Sequence, residues 1–357
     1  MKQKNILRLF IAVFLVLSLL PSVGMFFQGE VKSSANEILT SKPRLLRADG
    51  SFNPKVLKNA TDYIADRFAF RKQLITAWAE LNAALLHTSA EDQVVLGRDS
   101  WLYYSSTLND YMGRSLTEAE LEKAAQNLRA IQDYAESRGA SFIFTVAPNK
   151  NTLYTSNMPA YIPSAHENAN LTNLLPYLEL YGVHYVDLAA AFATQDETLY
   201  YATDSHWNDR GAALAADALL SALNRDSHFF SSPFLAGEGH RGDLYDMLYP
   251  TGAKVEPSFV IASGFSHLVL SDPNGGNAQK FSTRCAGKQG SLLCWRDSFG
   301  ISLYPYLADS FEQATFSRSV KYEGDMIDDC GADTVILEIV ERNLPQLSVL
   351  DWQAPTA

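Results

Sequence analysis

The sequence predicts an α/β domain built on a mostly parallel sheet with helices packed on both faces. Apolar runs of strand length occur at residues 141–147, 291–295 and 334–339, and amphipathic helical patterns lie between them. Strands without a polar face are typical of parallel sheets that are buried on both sides. Their alternation with helices indicates βαβ units. A chain of 357 residues is long enough to bury such a core.

The N-terminal residues predict the compartment. Basic residues precede an uncharged, largely apolar stretch at residues 9–27. A stretch of about 19 apolar residues can cross a hydrocarbon layer of roughly 30 Å, and the preceding positive charge favours a cytoplasmic N-terminus. We therefore expect residues 1–28 to be a signal anchor in the cell membrane, with the rest of this single-pass chain outside the cytoplasm. A cleaved signal peptide with a weak cleavage site at residues 33–35, leaving a secreted protein, is the alternative.

Two further segments complete the predicted organisation: a tether with a helical segment at residues 29–90, and the α/β domain at residues 91–357. Apolar residues recur at helical spacing over residues 54–86, which predicts one long helix. Residues 93–104 contain two short apolar runs with a turn between them, which predicts a β-hairpin.

The first helix of the α/β domain has clear end signals. Thr117 and Glu120 have the spacing of a capping box, and Gly139 ends the helical pattern. Residues 240–285 are less regular and richer in Gly and Ser, which favours an antiparallel insertion. The other predicted elements are helices over residues 171–181, 209–223 and 301–308 and a short strand over residues 184–187.

Charge and cysteine content exclude several classes of protein. The formal net charge of −11 repels phosphate backbones and no dense basic run offsets it, so we expect no nucleic-acid partner. Cys285, Cys294 and Cys330 are too few for a disulfide scaffold and lack the spacing of a zinc site. A disulfide between Cys285 and Cys294 and three small buried thiols are equally compatible with the sequence.

The residues that can perform chemistry follow the predicted strands. Ser298 lies between the strand at residues 291–295 and a helix, where a hydroxyl can be exposed and backbone N–H groups can bind an oxyanion. Asp204 and His206 are two positions apart, so in an extended segment both point to the same side. Reactive groups collect at the carboxyl ends of parallel strands. The sequence therefore predicts a triad in which Asp204 orients His206 and His206 activates Ser298.

Each of these residues also has a less specific interpretation. Ser298 can cap the following helix, and His206 can be a core histidine or join Asp204 and Asp297 as a metal ligand. The triad is the preferred hypothesis, with no metal and no other cofactor. The other histidines are predicted to be surface or packing residues: His87, His166, His184, His228, His240 and His267.

The segment at residues 203–212 resembles the D-T-H-W-N…G-A signature of the SGNH-hydrolase-like domain in bacterial alginate O-acetylation proteins of the AlgX and AlgJ types. It is also similar to the DHHW proteins of Gram-positive bacteria, although position 205 is Ser here. The resemblance covers about residues 45–345, and five segments in order make it specific. The other segments are Gln93–Tyr104, Ala147–Lys150 with Tyr154 and Pro159, Gly242–Leu248 and Arg296–Gly300.

The resemblance implies an extracytoplasmic, SGNH-like three-layer α/β/α domain with a mostly parallel sheet, preceded by the N-terminal anchor and helix. By matching position, the three residues of the predicted triad keep the same roles. Tyr304 matches a tyrosine that the family places near the oxyanion or substrate, and Asn149 and Lys150 match a loop bordering the pocket. Arg296 is included with them as a candidate for binding substrate or the oxyanion. No C-terminal carbohydrate-binding module is evident, so the polymer need not be alginate.

The reaction we favour is O-acetylation of a cell-surface or secreted polysaccharide. His206 takes the proton of Ser298, an acetyl-serine forms, and its acetyl group passes to a sugar hydroxyl. Trp207, Phe299 and Tyr304 are expected to keep water from this intermediate. Because acetyl-CoA is cytoplasmic, a membrane-bound acyltransferase is implied as acetyl donor. A carbohydrate acetylesterase with the same triad and a non-catalytic glycan-binding scaffold are the alternatives.

Overall fold

The structure is a computed structural model that describes residues 2–29, 31, 39–114, 116–271 and 276–355. We name its two compact units the helical unit, Met1–Glu91 with Tyr245–Ala253, and the sheet unit, Asp92–Leu244 with Lys254–Ala357. The predicted weak cleavage site at residues 33–35 lies outside the described residues.

The helical unit begins with helix α1, Lys2–Gly24. Its segment Lys4–Pro21 is long and apolar enough to cross a membrane. A signal sequence near the N-terminus has the same character. Helix α1 is therefore compatible with both predicted alternatives, the signal anchor and the cleaved signal peptide.

Two helices, α2 (Val56–Arg67) and α3 (Arg71–Leu86), replace the single helix predicted over residues 54–86. That prediction is wrong because the backbone is extended at Phe68 and left-handed at Phe70, where φ is 64°. Apolar residues recur at helical spacing on both sides of this break. Spacing alone therefore could not reveal it.

The sheet unit holds the strands. They are β1 Val94–Leu96, β2 Leu102–Tyr104, β3 Ser141–Ala147, β4 Tyr185–Val186, β5 Phe234–Ala236, β6 Phe259–Ile261, β7 Leu268–Val269, β8 Lys280–Arg284, β9 Ser291–Trp295, β10 Gln313–Ser317 and β11 Thr334–Val340. The remaining helices are α4 Leu108–Tyr111, α5 Glu118–Ser137, α6 Lys150–Leu153, α7 Asn170–Leu180, α8 Leu188–Ala193, α9 Asp209–Ala222, α10 Asp243–Leu248, α11 Gly300–Ala308, α12 Asp325–Asp329 and α13 Pro345–Ser348. Helix α10 begins in the sheet unit and ends in the helical unit.

Seven strands form one sheet in the order β4-β3-β11-β9-β10-β8-β7. The first five are parallel to one another, β8 is antiparallel to β10, and β7 is antiparallel to β8. The mostly parallel sheet is thus confirmed, and the irregular segment at residues 240–285 supplies its antiparallel edge as predicted. Strand β10 has no counterpart among the predicted elements, because Phe316 is its only large apolar residue. The predicted hairpin is β1–β2, which pairs outside this sheet.

Helices cover both faces of the sheet, so the predicted three-layer α/β/α arrangement is confirmed. Alternate side chains of β3 enter different cores. Phe142 and Phe144 pack with α5, α7 and α13, whereas Ile143 and Ala147 pack with α8, α9 and α11. This alternation explains why the strand sequence has no polar face.

Side-chain caps fix the starts of two helices. The hydroxyl of Thr117 accepts the N–H of Glu120, and the Glu120 carboxylate accepts the N–H of Thr117, so the predicted capping box is present. At α9, the Asn208 side chain accepts the N–H groups of Arg210 and Gly211 at 3.1 and 2.9 Å. Asn208 thereby fixes the loop that precedes α9, which carries Asp204 and His206 of the predicted triad.

The three cysteines are free thiols. The alternative of a disulfide between Cys285 and Cys294 is therefore wrong. Cys294 lies in β9 and Cys285 directly follows β8, and β10 is inserted between these two strands. The two cysteines are consequently not on adjacent strands, and both are buried as small apolar side chains.

Candidate active site

The carboxyl ends of three adjacent strands, β3, β11 and β9, lie side by side at one edge of the sheet. Asn149 follows β3, Glu341 follows β11, and the turn after β9 carries Ser298. The backbone N–H of Asn149 donates to Glu341 Oε2 at 2.7 Å, across 192 positions of sequence. Distant segments therefore meet at the edge where a parallel sheet collects reactive groups.

The turn that carries Ser298 is tied to strand β11 through Asp297. One carboxylate oxygen of Asp297 accepts the N–H of Phe299 at 2.9 Å, and the other accepts the N–H of Val340 at 2.7 Å. The N–H of Asp297 donates to Glu338 Oε2 at 3.1 Å. These bonds join the ends of two strands and hold the hydroxyl of Ser298 at the beginning of α11.

The structure brings Ser298, His206 and Asp204 into one chain of hydrogen bonds. His206 Nε2 lies 2.8 Å from Ser298 Oγ, and His206 Nδ1 lies 2.7 Å from Asp204 Oδ1. The same Asp204 oxygen accepts the backbone N–H of His206 at 2.9 Å, which holds the pair in register. A neutral His206 with its proton on Nδ1 can accept the hydroxyl proton of Ser298, which is the arrangement of a nucleophile activated by a base.

The second oxygen of Asp204 has partners that the sequence analysis did not assign to the site. Asp204 Oδ2 lies 2.7 Å from His240 Nε2 and accepts the N–H of Asp243 at 2.9 Å. The ring of His240 stacks on Tyr201 with a centroid separation of 3.9 Å. Asp204 therefore joins two histidines, one on each carboxylate oxygen, and its orientation is fixed from both sides.

A buried cation and a carboxylate hold the loop that carries Asp204. Lys150 Nζ donates to three carbonyl oxygens of this loop, those of Tyr201 (3.1 Å), Ala202 (3.0 Å) and Asp204 (2.5 Å). Glu256 accepts the N–H groups of Ala202 and Thr203 at 2.6 and 2.7 Å. Burial lowers the pKa of the Lys150 ammonium to about 7, although nearby carboxylates oppose the shift. Because three acceptors require the protonated ammonium, the loop is held most firmly below that pH.

The charges of the site support an ionised Asp204 and a basic His206. Burial alone would raise the pKa of Asp204, but hydrogen bonds from His206 and His240 hold it well below its ordinary value. Burial alone would lower the pKa of His206, but the hydrogen bond and charge of Asp204 outweigh it and raise the pKa. The carboxylate therefore stabilises the imidazolium that forms when His206 takes a proton.

Asp243 is a second acidic residue beside the one in the triad, Asp204. Its carboxylate accepts the N–H and the hydroxyl of Ser205 at 2.7 and 2.6 Å, and burial together with the charge of Asp204 raises its pKa. Asp204, His206 and Asp243 offer one ligand atom each within 4.8 Å of one another. Asp297, a ligand in the predicted metal alternative, does not belong to this group, because its carboxylate accepts backbone N–H groups in the turn before α11.

Two of the predicted substrate-binding residues hold backbone segments. Lys150 is buried and directs its ammonium at loop carbonyls, as described above. Arg296 is also buried, and it donates to the carbonyls of Gly276 at 2.5 Å and Asp297 at 3.0 Å. Asn149 differs from both, because its buried Oδ1 has no hydrogen-bond partner among the described residues.

The predicted aromatic walls are mostly core residues. Trp207 and Phe299 are 1 % and 0 % exposed, and Phe299 packs beneath the ring of His206 with a centroid separation of 4.7 Å. Tyr304 packs against Phe281 and Phe316 at 5.0 and 5.5 Å between ring centroids. The interpretation of Trp207 and Phe299 as pocket walls is wrong, because apolar residues beside a strand-to-helix turn are needed to fill the core beneath it.

His240 and Arg342 are site residues that sequence reasoning missed. The prediction that His240 is a surface or packing residue is wrong, because it contacts Asp204. Arg342 lies over the ring of Phe299 at 5.5 Å, and its charge opposes the rise of the His206 pKa. The available signals were positional: His240 lies close to the matching segment at residues 242–248, and Arg342 lies two positions after the end of a buried strand.

Residues 94–251 match the family model described as the SGNH hydrolase-like domain, acetyltransferase AlgX. Residues 94–251 are therefore similar to an AlgX-type SGNH hydrolase-like domain. The resemblance stated from the sequence is therefore confirmed. The chain is also 25 % identical over 246 residues to a probable alginate O-acetylase AlgJ of Pseudomonas putida, a match that covers 67 % of this chain and 59 % of that protein. The match thus spans about three-fifths of the relative's length.

Two solved structures resemble this AlgX-type fold. Bacillus cereus PatB1, determined with a sulfonyl adduct, has a TM-score of 0.55 and 17 % identity, with 70 % of this chain and 95 % of that chain covered. A DHHW family protein from Eubacterium siraeum has a TM-score of 0.53 and 18 % identity, with 73 % and 95 % covered. At these identities the likeness establishes the fold.

Proposed function

We propose that the chain is an extracytoplasmic enzyme that transfers acetyl groups to the hydroxyls of a polysaccharide. The observation that carries this proposal is the continuous hydrogen-bonded series from Ser298 through His206 to Asp204. It lies at the strand-end edge of an AlgX-type domain, and a related protein is named a probable alginate O-acetylase. Fold, family and side-chain geometry thus support the same reaction class.

The proposed reaction has two acyl-transfer steps. In the first, His206 Nε2 takes the proton of Ser298 as the Ser298 oxygen attacks the acetyl carbonyl of a donor ester. The ester C–O bond breaks, and the departing oxygen receives the proton from His206. In the second, His206 takes the proton of a sugar hydroxyl as the sugar oxygen attacks the acetyl carbonyl of the acetyl-serine. The ester C–O bond to Ser298 breaks, and His206 returns the proton to the Ser298 oxygen. Asp204 stays ionised throughout and holds the ring of His206.

The oxyanion of each tetrahedral intermediate needs hydrogen-bond donors, each worth about 3 kcal/mol of transition-state stabilisation. We assign one such position to Asn149, because it follows β3 at the catalytic edge and its side chain does not cap helix α6. We assign positioning roles to Lys150 and Arg296, whose donors hold backbone carbonyls. Tyr304 keeps its predicted place near the substrate as a proposal.

The proposed acetyl donor is supplied at the membrane. Acetyl-CoA is a cytoplasmic metabolite, whereas a chain anchored by α1 would place its sheet unit outside the cytoplasm. A membrane-bound acyltransferase that carries acetyl groups outward is therefore the donor partner that this reaction requires. The polysaccharide acceptor need not be alginate.

The test is an acyl-transfer assay with the purified full chain in detergent. We expect a chromogenic acetyl ester to acetylate Ser298, detected by peptide mass spectrometry, and added oligosaccharides to gain acetyl groups. The variant Ser298→Ala should lose both signals, and Ser221→Ala, which changes an exposed serine on α9, should keep them. Acetate release without glycan acetylation would favour the esterase. The absence of acetyl-serine with every donor tested would favour a non-catalytic scaffold.

A further inference from the structure

Helix α3 of the helical unit exposes its large apolar side chains. Leu74, Trp78, Leu81 and Leu85 are 46, 58, 49 and 68 % exposed. Their spacing of four, three and four positions puts them on one face of the helix. We name these four residues the α3 stripe. The buried residues of the same helix are Thr76, Ala79 and Asn82.

Two of the three buried residues of α3, Thr76 and Asn82, are polar, and both form hydrogen bonds within the helical unit. Thr76 Oγ1 accepts the N–H and the hydroxyl of Thr251 at 3.1 and 2.9 Å. Asn82 Nδ2 donates to the carbonyl of Trp78 at 2.8 Å. A surface helix of a water-soluble domain has the opposite arrangement, with its apolar face inward. The α3 stripe is therefore an exposed apolar patch of the kind that marks an interaction surface.

The charge of this region indicates what covers the stripe. Residues 39–91 contain eight Lys and Arg against five Asp and Glu, a net charge of +3. Residues 92–357 contain seventeen against thirty-three, a net charge of −16. Arg71 and Lys72 occupy the first turn of α3 itself. A basic segment beside an apolar stripe complements an anionic lipid surface, whereas the same face of a second copy would carry the same positive charge.

The position of α1 within the helical unit agrees with that occupant. Helix α1 ends against the break between α2 and α3. The end of α1 and this break line one apolar cleft, whose walls include Leu20, Val23, Phe27, Phe68 and Phe70. A helix that crosses a bilayer ends at the level of the headgroups. Helix α3 begins beside that end, so it begins at the same level.

We propose that α3 is an interfacial helix that lies in the plane of an anionic bilayer with the α3 stripe inserted below the headgroups. The helix has 16 residues and carries charges at Arg71, Lys72 and Glu80, so it is suited to lie on a membrane and not to cross it. Trp78 is the residue type that is enriched at membrane interfaces. The chain then contacts the membrane at two places, α1 and α3.

The test measures lipid contact at α3 directly, because α1 can hold the chain on a membrane in any case. The full chain with Cys330→Ala carries an environment-sensitive fluorophore at Leu81→Cys and is reconstituted into phosphatidylcholine–phosphatidylglycerol vesicles with nitroxide lipids. The matched control is Leu180→Cys, which labels a leucine of the sheet unit that is 72 % exposed. Cys285 and Cys294 are buried and do not compete for the label.

We expect nitroxide quenching to be several-fold stronger at position 81 than at position 180. The double variant Arg71→Gln with Lys72→Gln should reduce the quenching at position 81 in anionic vesicles and change it little in phosphatidylcholine alone. Equal quenching at the two labelled positions would overturn the proposal. If the fluorophore at position 81 were shielded from water more strongly as the protein concentration rises, without nitroxide quenching, a second copy of the chain would cover the stripe. Protection in native membranes but not in vesicles would assign it to a protein partner.

Discussion

Helices α9 and α3 are both rich in Ala and Leu, but they belong to different units. Helix α9 buries large apolar side chains, whereas α3 exposes them. In α9 of the sheet unit, Leu219 and Leu220 are fully buried, and in α3 of the helical unit, Leu81 and Leu85 are 49 % and 68 % exposed. Composition therefore does not decide which face of a helix is covered, because the neighbouring elements decide it. The sheet unit packs its apolar side chains into cores and has the polar groups of the candidate triad at one edge of its sheet. The helical unit instead leaves the apolar α3 stripe exposed. We accordingly assign chemistry to the first unit and attachment to the second.

The largest expected effect comes from Asp204→Asn, which tests whether chemistry resides in the sheet unit. An amide at this position offers an N–H where His206 and His240 both require an acceptor, so His206 adopts the wrong tautomer. We expect kcat for acetyl transfer to fall by about 10⁴-fold. Steady-state turnover of a chromogenic acetyl ester measures it, and circular dichroism checks that the variant is folded.

The control for this variant is Asp196→Asn, which changes an exposed aspartate of the sheet unit and should keep full turnover. Lipid quenching at position 81 should be the same in both variants. A loss of less than tenfold for Asp204→Asn would contradict the proposed triad. A simultaneous loss of lipid contact would contradict the separation of chemistry from attachment.

The next effect concerns pH and the histidine on the far side of Asp204. Because the pKa of His206 is raised and only the neutral ring can take a proton from Ser298, activity should rise with pH through a midpoint above 6.5. The pKa of His240 is also raised, so His240 is a cation at lower pH. Its charge opposes protonation of His206, as the charge of Arg342 does.

In His240→Gln the side chain keeps an N–H donor for Asp204 but loses the positive charge. The pKa of His206 should rise further, and the acid limb of kcat/KM should move to higher pH with a few-fold change at the plateau. The profile between about pH 5 and pH 9 measures this shift. The matched control is His267→Gln, because His267 contacts Asp309 at 3.3 Å outside the triad. A limb that stays in place, or moves to lower pH, would contradict a charged role for His240.

The sequence carries much of the fold because both faces of the sheet are buried. The strands β3, β9 and β11 are continuous apolar runs, and the end signals at Thr117, Glu120 and Gly139 lie where helix α5 begins and ends. The proximity of Asp204 and His206 also follows from their spacing of two. Patterns over a few neighbouring residues thus predict the strands, the helix ends and the proximity of residues that are close in sequence.

Contacts made through irregular segments could not be predicted in this way. His240 is 36 positions from Asp204 and reaches it through the antiparallel insertion, which has no hydrophobic period. The separation of β8 from β9 by β10 decides that Cys285 and Cys294 stay unpaired, and β10 has too few apolar residues to be recognised. At Phe70 the left-handed backbone interrupts a helical pattern that continues on either side.

A smaller effect concerns the stability of the sheet edge formed by the carboxyl ends of β3, β11 and β9. Glu341 is buried beyond β11 and accepts from the N–H of Asn149 and the hydroxyl of Thr152, both at 2.7 Å. Burial and the nearby charge of Asp110 raise its pKa to about 8. The folded state therefore keeps a proton that the unfolded chain loses near its ordinary pKa. This contribution to stability is complete below the ordinary value and disappears as the pH rises through about 8.

The variant Glu341→Gln keeps an acceptor for both donors and cannot ionise. We expect the Tm of the unmodified chain to fall between about pH 6 and pH 9, and the variant to be more stable at the upper pH by roughly 5 °C. Calorimetry of the sheet unit's transition at both pH values measures the difference. The control is the exposed Glu179→Gln, which should follow the unmodified chain. If Glu341→Gln had the same pH dependence of Tm as the unmodified chain, the pKa of Glu341 would not be the cause of that dependence.

The smallest effect lies in the helical unit and tests how independently its helices are held. Thr76 is buried at 7 % exposure, and its hydroxyl receives both hydrogen bonds from Thr251. Thr76→Val keeps the shape but leaves these donors without an acceptor, which should cost about 1 kcal/mol. Amide exchange should accelerate in α3 and at residues 245–253, with kcat and the exchange of β3 unchanged. If the amides of β3 were to exchange faster as well, the two units would open as one cooperative structure. The exposure of the α3 stripe would then be a property of the whole chain and not of an attachment unit alone.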